Sequence, residues 1–426
     1  MTSTVVGALA CQVDSYLKSF DTTVVSCREV ERAPAKTNGK AKGKAKKEAV
    51  EEEKPVEYEL ELKDTILFPE GGGQPSDSGL IKTAETSIPV LAIRRAFLTA
   101  LHKVPTPLPP STPVTLSLDW PRRFDHMQQH SGQHLISAVL DERKIPTLAW
   151  NLGEKFSYVE LPRKLSDEEV AEVEDRCNDV IRQGLDITVE VPDKDLVNKE
   201  KLPDDYDAER GILRVVHIGD LDANPCCGTH LRNTREMNAI ALLHQVPNKG
   251  TNSRLYFLIG DRVRKYATET HALTRRLNAK LSCQTDEIES KVARLEGLLR
   301  DALKREKMWV ADVVASEAAS VRASLESTQK AFVYRPDVGL DYLMTLVAEL
   351  GELKEGQLLV LAAGQVKSPG ALMVLGGGAD KLAAKIKDVV KSVKGGGKGA
   401  KWQGKVTEWE KGEVEAVREV LESYVA

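Results

Sequence analysis

Two short, well separated motifs carry side chains that could bind a metal ion. They are His130-Ser131-Gly132-Gln133-His134 and Cys226-Cys227-Gly228-Thr229-His230. If the apolar residues after the first motif continue one helix upstream, His130 and His134 lie one turn apart on the same face. In the second motif, Gly228 between Cys226 and His230 can accept a tight backbone. Three imidazole nitrogens and one thiolate form a ligand set that Zn(II) binds tetrahedrally.

The sequence therefore predicts one zinc ion per chain. The predicted ligands are His130, His134, Cys226 and His230. His126 stands four residues before His130 and is a rival ligand, and Cys227 is a rival to Cys226. A zinc protease of the HExxH type is excluded, because that motif needs a glutamate beside the first histidine, where this chain has Ser131.

A third motif precedes these two, and the order of the three motifs along the chain is informative. It is Phe68-Pro69-Glu70-Gly71-Gly72-Gly73-Gln74-Pro75-Ser76-Asp77-Ser78-Gly79. Followed by His130-x-x-x-His134 and Cys226-x-x-x-His230, it resembles the editing half of alanyl-tRNA synthetase and the freestanding AlaX-type trans-editing proteins. The resemblance runs from the N-terminus to near Lys265. It implies hydrolysis of mischarged tRNA(Ala), which is the implied partner, chiefly in its serine-charged form and alternatively in its glycine-charged form.

The catalytic groups stay open at this stage. Candidates for the pocket are Ser131, Gln133, Thr229, Gly71, Gly72 and Gly73, and no general base is assigned. A metal here could polarise the ester carbonyl, activate water or hold the substrate. Four protein ligands normally close a zinc site as structural, whereas a catalytic site keeps one position open. The alternative functions are a zinc-stabilised tRNA-binding or assembly protein without deacylase activity, and a metal hydrolase with another substrate.

Composition sets wider limits. The 426 residues carry 60 Lys and Arg against 64 Asp and Glu, so no global nucleic-acid signature is present and RNA contacts must come from local patches. Six scattered cysteines fit a reducing compartment. The sequence shows neither a secretory signal nor an apolar run long enough to cross a bilayer. We expect a soluble cytoplasmic protein with no membrane partner.

The element pattern predicts an α+β multidomain protein in four parts. These are a small N-terminal β-barrel with the Gly-rich loop (1–117), an α+β zinc-containing editing domain (118–265), a helical arm (266–334) and a small C-terminal α/β domain (335–426). A lysine block followed by a glutamate block predicts a disordered insertion at 34–55. This insertion is either a basic arm for the tRNA backbone or a solvated loop.

Local signals place the elements around the two metal-binding motifs. Pro121 after Asp119 predicts the start of the histidine-bearing helix, and Ser166 with Glu169 predicts a capping box. Predicted strands cover 156–161, 187–191, 213–218, 239–245 and 255–259. One half of the ligand set would then come from a helix and the other from a loop after a strand.

The C-terminal third has a different pattern. Apolar residues recur at three- and four-residue steps from Leu273 to Leu303, which predicts a helical arm that pairs with the segment to about Ala331 as a hairpin, or with a second chain as a homodimer. The last part is similar to the C-terminal domain of alanyl-tRNA synthetase, which implies nucleotide binding, although 400–404 departs from the family's Gly-rich continuation. Trp402 among five lysines could stack on an RNA base, or the segment could be a plain surface loop. These lysines are Lys391, Lys394, Lys398, Lys401 and Lys405.

Overall fold

The computed structural model describes residues 2–30, 56–192 and 211–425. The insertion predicted at 34–55 lies outside the described residues. Contacts divide the chain into two compact units, Met1–Thr274 and Arg275–Ala426, and each is described here by itself. In the part of the chain that is described, no helix is both long and apolar enough to cross a bilayer.

The first unit begins with a short helix, α1 (Ala10–Val13), and a curved antiparallel sheet of seven strands. The strands are β1 (Ser19–Glu29), β2 (Tyr58–Leu62), β3 (Gly79–Lys82), β4 (Ser87–Val90), β5 (Ala92–Ala96), β6 (Thr99–Val104) and β7 (Pro113–Leu118). Their order is β4-β3-β7-β1-β2-β6-β5. The two edge strands, β4 and β5, are joined by Leu91 alone, so the sheet must curl back on itself. The predicted barrel is thus a nearly closed one, around buried Leu60, Ile81 and Leu116.

The histidine-bearing helix, α2 (Trp120–Glu142), starts where the sequence predicts. The Asp119 side chain accepts a hydrogen bond from the Arg122 N–H at 3.3 Å and caps the helix. Pro121 occupies the first turn, where its missing N–H costs nothing. Most of α2 is buried, polar side chains included. The helix therefore carries its histidines into the interior of the unit.

A four-stranded antiparallel sheet packs against α2 in the order β13-β14-β9-β8. Its members are β8 (Ala149–Leu152), β9 (Ser157–Leu161), β13 (Ile240–Pro247) and β14 (Ser253–Ile259), with helix α3 (Asp167–Gln183) on the same core. Alternate residues of β14, Leu255 and Phe257, are buried in that core. The predicted capping box of α3 is confirmed, since Ser166 and Glu169 exchange hydrogen bonds.

A second, three-stranded sheet leads to the cysteine motif. It consists of β10 (Ile187–Glu190), β11 (Val215–Ile218) and β12 (Asp222–Pro225), all antiparallel. The sequence predicted β11 but missed β12, because Asp-Ala-Asn-Pro has no apolar alternation and its pairing with β11 is its only support. Cys226 follows β12 directly, so this hairpin fixes where the motif starts.

Helix α4 (Asp261–Leu281) ends the first unit and continues into the second. The second unit holds α5 (Ile288–Thr328), β15 (Lys330–Arg335), α6 (Leu340–Leu350), β16 (Leu358–Ala363), β17 (Gly370–Gly376), α7 (Ala379–Val389), β18 (Val393–Lys398), β19 (Lys401–Val406) and α8 (Glu413–Ser423). Its mixed sheet, β15-β16-β17-β19-β18, buries apolar side chains on both faces, with α5 and α6 on one core and α7 and α8 on the other. The predicted α/β character is confirmed.

Two expectations for this unit were wrong. Helix α5 runs without a break from Ile288 to Thr328, so the chain does not turn back after Leu303 to form a second arm up to Ala331. The helical run is broken earlier instead, at 282–287 between α4 and α5. Trp402 is 3% exposed and packs in the core, so its ring is not available to stack on a base. The reason is strand pairing: Trp402 lies on β19 opposite Val374 of β17, and sheet geometry turns it inward.

Candidate metal centre

The four predicted ligands meet in one cluster. His130 and His134 come from α2, while Cys226 and His230 come from the loop after β12. Their ligand atoms all lie within 4.8 Å of one another. Cys226 Sγ is 3.3 Å from His130 Nε2 and 3.4 Å from His230 Nε2. Within the described ranges this is the only group of three or more His, Cys, Asp or Glu side chains that could hold a metal ion.

The two rival ligands lie outside the cluster. His126 is on α2 one turn before His130, but its ring lines a separate cleft. The Cys227 side chain packs against Leu213. His126 and Cys227 are close in sequence to residues of the cluster. Spacing alone therefore could not separate them from the ligands, and the observed fold was needed.

Gly228 allows the loop to approach the helix. A Cβ atom at this position would lie 2.2 Å from His130 Cε1 and 2.4 Å from His130 Nδ1, which no real contact permits. The Gly228 N–H also points toward Cys226 Sγ at 3.5 Å. The glycine inside the Cys-x-x-x-His motif is therefore required by the close packing of the loop on His130.

Gln74 of the Gly-rich segment fixes the orientation of the His130 ring. The Gln74 side-chain oxygen accepts the Thr229 N–H at 3.0 Å, and its Nε2 donates to Thr229 Oγ1 at 2.8 Å. With the amide oriented in this way, Oε1 can only accept from His130 Nδ1, which is 2.9 Å away. Gln74 therefore holds the ring through Nδ1, and Nε2 is the nitrogen that faces the cluster.

The other two imidazoles are held from behind in the same manner. His230 Nδ1 is 3.3 Å from Ser131 Oγ, which also accepts the Leu231 N–H at 3.1 Å. His134 Nδ1 faces the Asp222 carboxylate at 3.7 Å, and both side chains are largely buried. Each ring thus has a polar neighbour at Nδ1, the arrangement that orients histidine ligands of metals.

The electrostatics of the cluster favour a thiolate. Burial alone would raise the pKa of Cys226, but the neighbouring imidazoles, led by His130, outweigh it and hold that pKa well below its ordinary value. Burial lowers the pKa of His230 to about 3. Burial also opposes charge on His134, yet the Cys226 thiolate and Asp222 raise its pKa to about 9.

The residues present fit a metal ion. His134 Nε2 is buried and has no hydrogen-bond partner among the described residues. A nitrogen that could bind a metal ion is therefore left without a partner in the protein. Tetrahedral zinc with its usual Zn–N and Zn–S bond lengths places ligand atoms about 3.3–3.8 Å apart. The separations of 3.3 and 3.4 Å from Cys226 Sγ agree with that spacing. The cluster can therefore hold one metal ion.

The Gly-rich segment borders the cluster, as predicted. Gly71 and Gln74 bond to each other through their backbones in a tight turn. Gly72 and Gly73 have φ of +60° and +77°, a region that favours glycine. A Cβ on Gly72 would lie 4.0 Å from Cys226 Sγ, and one on Gly73 would clash with the Trp150 indole at 2.5 Å. The turn thus passes between the cluster and a partly exposed tryptophan.

The base of this turn is anchored to α2. Phe68 and Asp77 close it, since the Phe68 N–H donates to the Asp77 carboxylate at 2.6 Å and the Asp77 N–H donates to Phe68 O at 3.1 Å. Arg123 of α2 forms a fully buried ion pair with Asp77, with Nε 3.0 Å from each carboxylate oxygen. Helix α2 therefore positions both the histidines and the Gly-rich turn.

The pocket candidates separate into two groups. Ser131 and Thr229 touch His230 and Gln74 and support the ligands from behind. Gln133 instead donates to Ser137 Oγ at 2.9 Å. The sequence analysis missed Asp222 altogether, because only the β11–β12 pairing brings it to His134. Gln74 was visible only as part of the Gly-rich motif.

Comparisons with known proteins agree with this geometry. Residues 213–256, which include the cysteine motif, match the family model described as threonyl and alanyl tRNA synthetase second additional domain. The chain is 36% identical to an alanyl-tRNA editing protein, alaX, of Saccharomyces cerevisiae, over 99% of this chain and 98% of the yeast protein. It is 34% identical to the alanyl-tRNA editing protein Aarsd1 of Bos taurus, over 98% of each chain.

An archaeal relative covers less of the chain. The alanyl-tRNA editing protein AlaX-L of Pyrococcus horikoshii is 32% identical over 48% of this chain and 52% of its own length. The full-length likeness to the yeast and bovine proteins does not depend on this shorter match. On the strength of that likeness, this chain belongs to the alanyl-tRNA editing protein family.

Proposed function

We propose that this chain is a trans-editing hydrolase that deacylates mischarged tRNA(Ala), chiefly Ser-tRNA(Ala), with Gly-tRNA(Ala) as a second substrate. The observation that carries the proposal is the buried three-histidine, one-cysteine cluster beside a Gly-rich turn. The relatives that match nearly the whole chain are named as alanyl-tRNA editing proteins, which supports the same activity. The reaction is the hydrolysis of the ester that joins the amino acid to the terminal ribose.

We propose one zinc ion per chain, held by His130 Nε2, His134 Nε2, Cys226 Sγ and His230 Nε2. When bound, zinc supplies a positive charge that can orient or polarise an ester carbonyl. Four protein ligands complete a tetrahedral shell, which favours the orienting role. The three histidine rings are each oriented by a polar side chain next to Nδ1. These side chains are Gln74, Ser131 and Asp222.

A separate editing site is needed for a physical reason. An apolar pocket built for alanine rejects serine by only about a hundredfold, because it merely meets one extra hydroxyl. A site that hydrogen-bonds the serine hydroxyl can discriminate against the alanine ester, which lacks that hydroxyl, by about 10⁴-fold or more. Ser131 and Thr229 are buried and already hydrogen-bonded within the chain, so we propose that other groups beside the Gly-rich turn recognise that hydroxyl. We therefore expect Ala-tRNA(Ala) to be spared.

The remaining expectations for the chain stay predictions. They are the four-part domain division, a homodimer through the C-terminal region, nucleotide binding by the last domain, and a cytoplasmic location. The alternative function is a zinc-stabilised tRNA-binding or assembly protein without deacylase activity, which the closed four-ligand shell specifically favours.

One assay separates the two functions. Purified protein is mixed with Ser-, Gly- and Ala-tRNA(Ala), and the release of the amino acid is followed for each. We expect rapid deacylation of the serine form, slower deacylation of the glycine form and little of the alanine form. Binding of all three without turnover would support the alternative function, and equal rates on the serine and alanine forms would contradict the proposed specificity.

A further inference from the structure

A cleft of about 790 Å³ opens in the first unit. We call it the α2–α4 cleft. It is lined by the first turns of α2 and α4 and by the loop between β8 and β9, including Arg122, His126, Phe156, Arg262, Lys265 and Tyr266. Its volume is within the range of sites that bind small molecules or parts of larger ligands.

His126 is the unusual group in this cleft. It is 6% exposed, and its Nδ1 has no hydrogen-bond partner among the described residues. Burial and the charge of Arg122 lower the pKa of His126 to about 4, so the ring is neutral at physiological pH. A buried ring nitrogen without a partner costs stability unless a ligand satisfies it. A neutral imidazole suits the edge of a base or a ribose hydroxyl.

The walls of the cleft offer flat apolar surface together with positive charge. Phe156 and Tyr266 meet edge to face, with ring centroids 5.9 Å apart. Arg262 is fixed by two hydrogen bonds to Asp125, at 2.8 and 2.7 Å, and by one to Gly153 O.

The formal charges of the lining are balanced. The cations are Arg122, Lys155, Arg262 and Lys265, and the acids are Asp119, Asp125, Glu154 and Glu269. Such a lining does not attract a compact multivalent anion. It fits a base that stacks on a ring and carries a single phosphate.

The position of the cleft relates it to the metal cluster. His126 precedes His130 by four residues on α2, which is about 6 Å along the helix axis. Pro75 lines the cleft, and the preceding Gln74 is bonded to His130. If the last nucleotide of a single-stranded RNA lies at the cluster, the nucleotide before it can therefore reach the cleft.

We infer that the α2–α4 cleft binds the unpaired nucleotide immediately before the terminal nucleotide of the acceptor end, with His126 bonded to that nucleotide and Tyr266 or Phe156 stacked on its base. This inference rests on the proposed function, because it assumes that the terminal ribose ester lies at the cluster. It adds a binding subsite that the cluster itself does not require.

The test compares two esters that share the reacting group. Ser-tRNA(Ala) contains the preceding nucleotide, whereas 2′(3′)-O-seryladenosine lacks it. We expect His126→Phe and Tyr266→Ala each to lower the ratio of kcat/KM on the tRNA to kcat/KM on seryladenosine about tenfold, as the loss of one stacking or hydrogen-bonding contact predicts. Tyr266→Phe should restore the ratio. His271→Phe, at an exposed position of α4 outside the cleft, is the matched control.

The outcomes distinguish this inference from the proposed function. If His126→Phe lowers both rates equally, or neither, the cleft is not the subsite. If the native protein cleaves neither ester, the proposed function fails. In that case binding of a single-stranded ACCA tetranucleotide, measured by calorimetry, still decides: about tenfold weaker binding by His126→Phe supports the cleft, and equal binding overturns it.

Discussion

Helices α2 and α5 depart from ordinary helix patterning in opposite ways. Helix α2 buries polar side chains, among them Arg123, His130 and His134, at 0–7% exposure. Helix α5 exposes large apolar side chains, among them Leu299 at 61% and Trp309 at 68%, and buries only one stripe near its end. Some buried polar groups of α2 have internal partners, as Arg123 has Asp77 and His130 has Gln74, whereas His134 Nε2 has none among the described residues. The exposed apolar groups of α5 have no partner within the second unit as described.

This difference in patterning indicates different roles for the two helices. Burial of polar groups is costly unless every group is paired, so such a set persists where its geometry is used. Exposed apolar surface of this extent on a helix is typical of a binding interface. We therefore expect α2 to carry the chemistry and α5 to carry an association surface, and the following experiments test each expectation.

The largest effect is expected from the ligands. His134→Ala and Cys226→Ala should each weaken zinc binding strongly, so that the purified variants carry clearly less than one ion per chain and lose most of the deacylation, since only three protein ligands remain. His126→Ala and Cys227→Ala should keep one ion. Metal analysis of the purified variants measures this. Zinc retained by His134→Ala and lost from His126→Ala would overturn the ligand assignment.

The buried pair under the Gly-rich turn should have the next largest effect. Arg123→Met leaves the Asp77 carboxylate buried without its cation, so we expect the free energy of unfolding to fall by about 3–5 kcal/mol. Urea denaturation of the full chain measures it. The double variant Arg123→Met, Asp77→Asn should recover part of this loss, because the new amide carries no charge and its oxygen can still accept from the Phe68 N–H. A double variant no more stable than the single one would contradict the charge argument.

The buried end of α5 offers a comparison within the same helix. Leu325 is 2% exposed and packs in the core that α5 shares with α6 and the sheet. Leu325→Ala should lower the free energy of unfolding of the second unit by about 2–5 kcal/mol through lost burial and a cavity. Denaturation followed by circular dichroism measures the change. A loss below about 1 kcal/mol would mean that this stripe is not a well-packed core.

A smaller effect is expected behind the cluster. Gln74→Leu keeps a similar volume but removes the acceptor for His130 Nδ1, so metal affinity should fall about 10–100-fold. Competition with a chromophoric chelator measures this affinity. Gln133→Leu is the matched control, because that amide bonds Ser137 and not the cluster. Equal losses in both variants would show that the effect arises from α2 in general.

The sequence was most informative where local rules apply. The start of α2 follows from Asp119 and Pro121, and the i, i+4 spacing placed His130 above His134. The same rules also exposed the limits of spacing, because His126 satisfies them equally well and lies outside the cluster. Local sequence pattern predicts which face of a helix a residue lies on, but it does not predict which other part of the protein packs against that face.

Contacts between distant segments could not be predicted. Asp222 reaches His134 only through the β11–β12 hairpin, and the Gly73 backbone lies against Trp150 from another sheet. The hairpin predicted for the arm was wrong because an apolar repeat does not specify where a helix turns back. Between Ile288 and Thr328 there is no proline and the only glycine is Gly297, and one glycine costs too little to end a helix that gains packing further on.

The smallest effect on stability is expected from the exposed seam of α5. Leu295 is 45% exposed, and Leu298, Leu299 and Leu303 beside it are also exposed. Leu295→Asp should change the free energy of unfolding by less than about 0.5 kcal/mol, because little is buried there within the chain. If the seam joins two copies, the same variant should convert a dimer to a monomer in sedimentation velocity, since burying Asp without a partner is costly. Ser316→Asp, also exposed on α5, adds the same charge outside the seam and should leave the dimer intact. A native protein that sediments as a monomer at all concentrations would rule out the dimer, and the exposed leucines would then need a different partner.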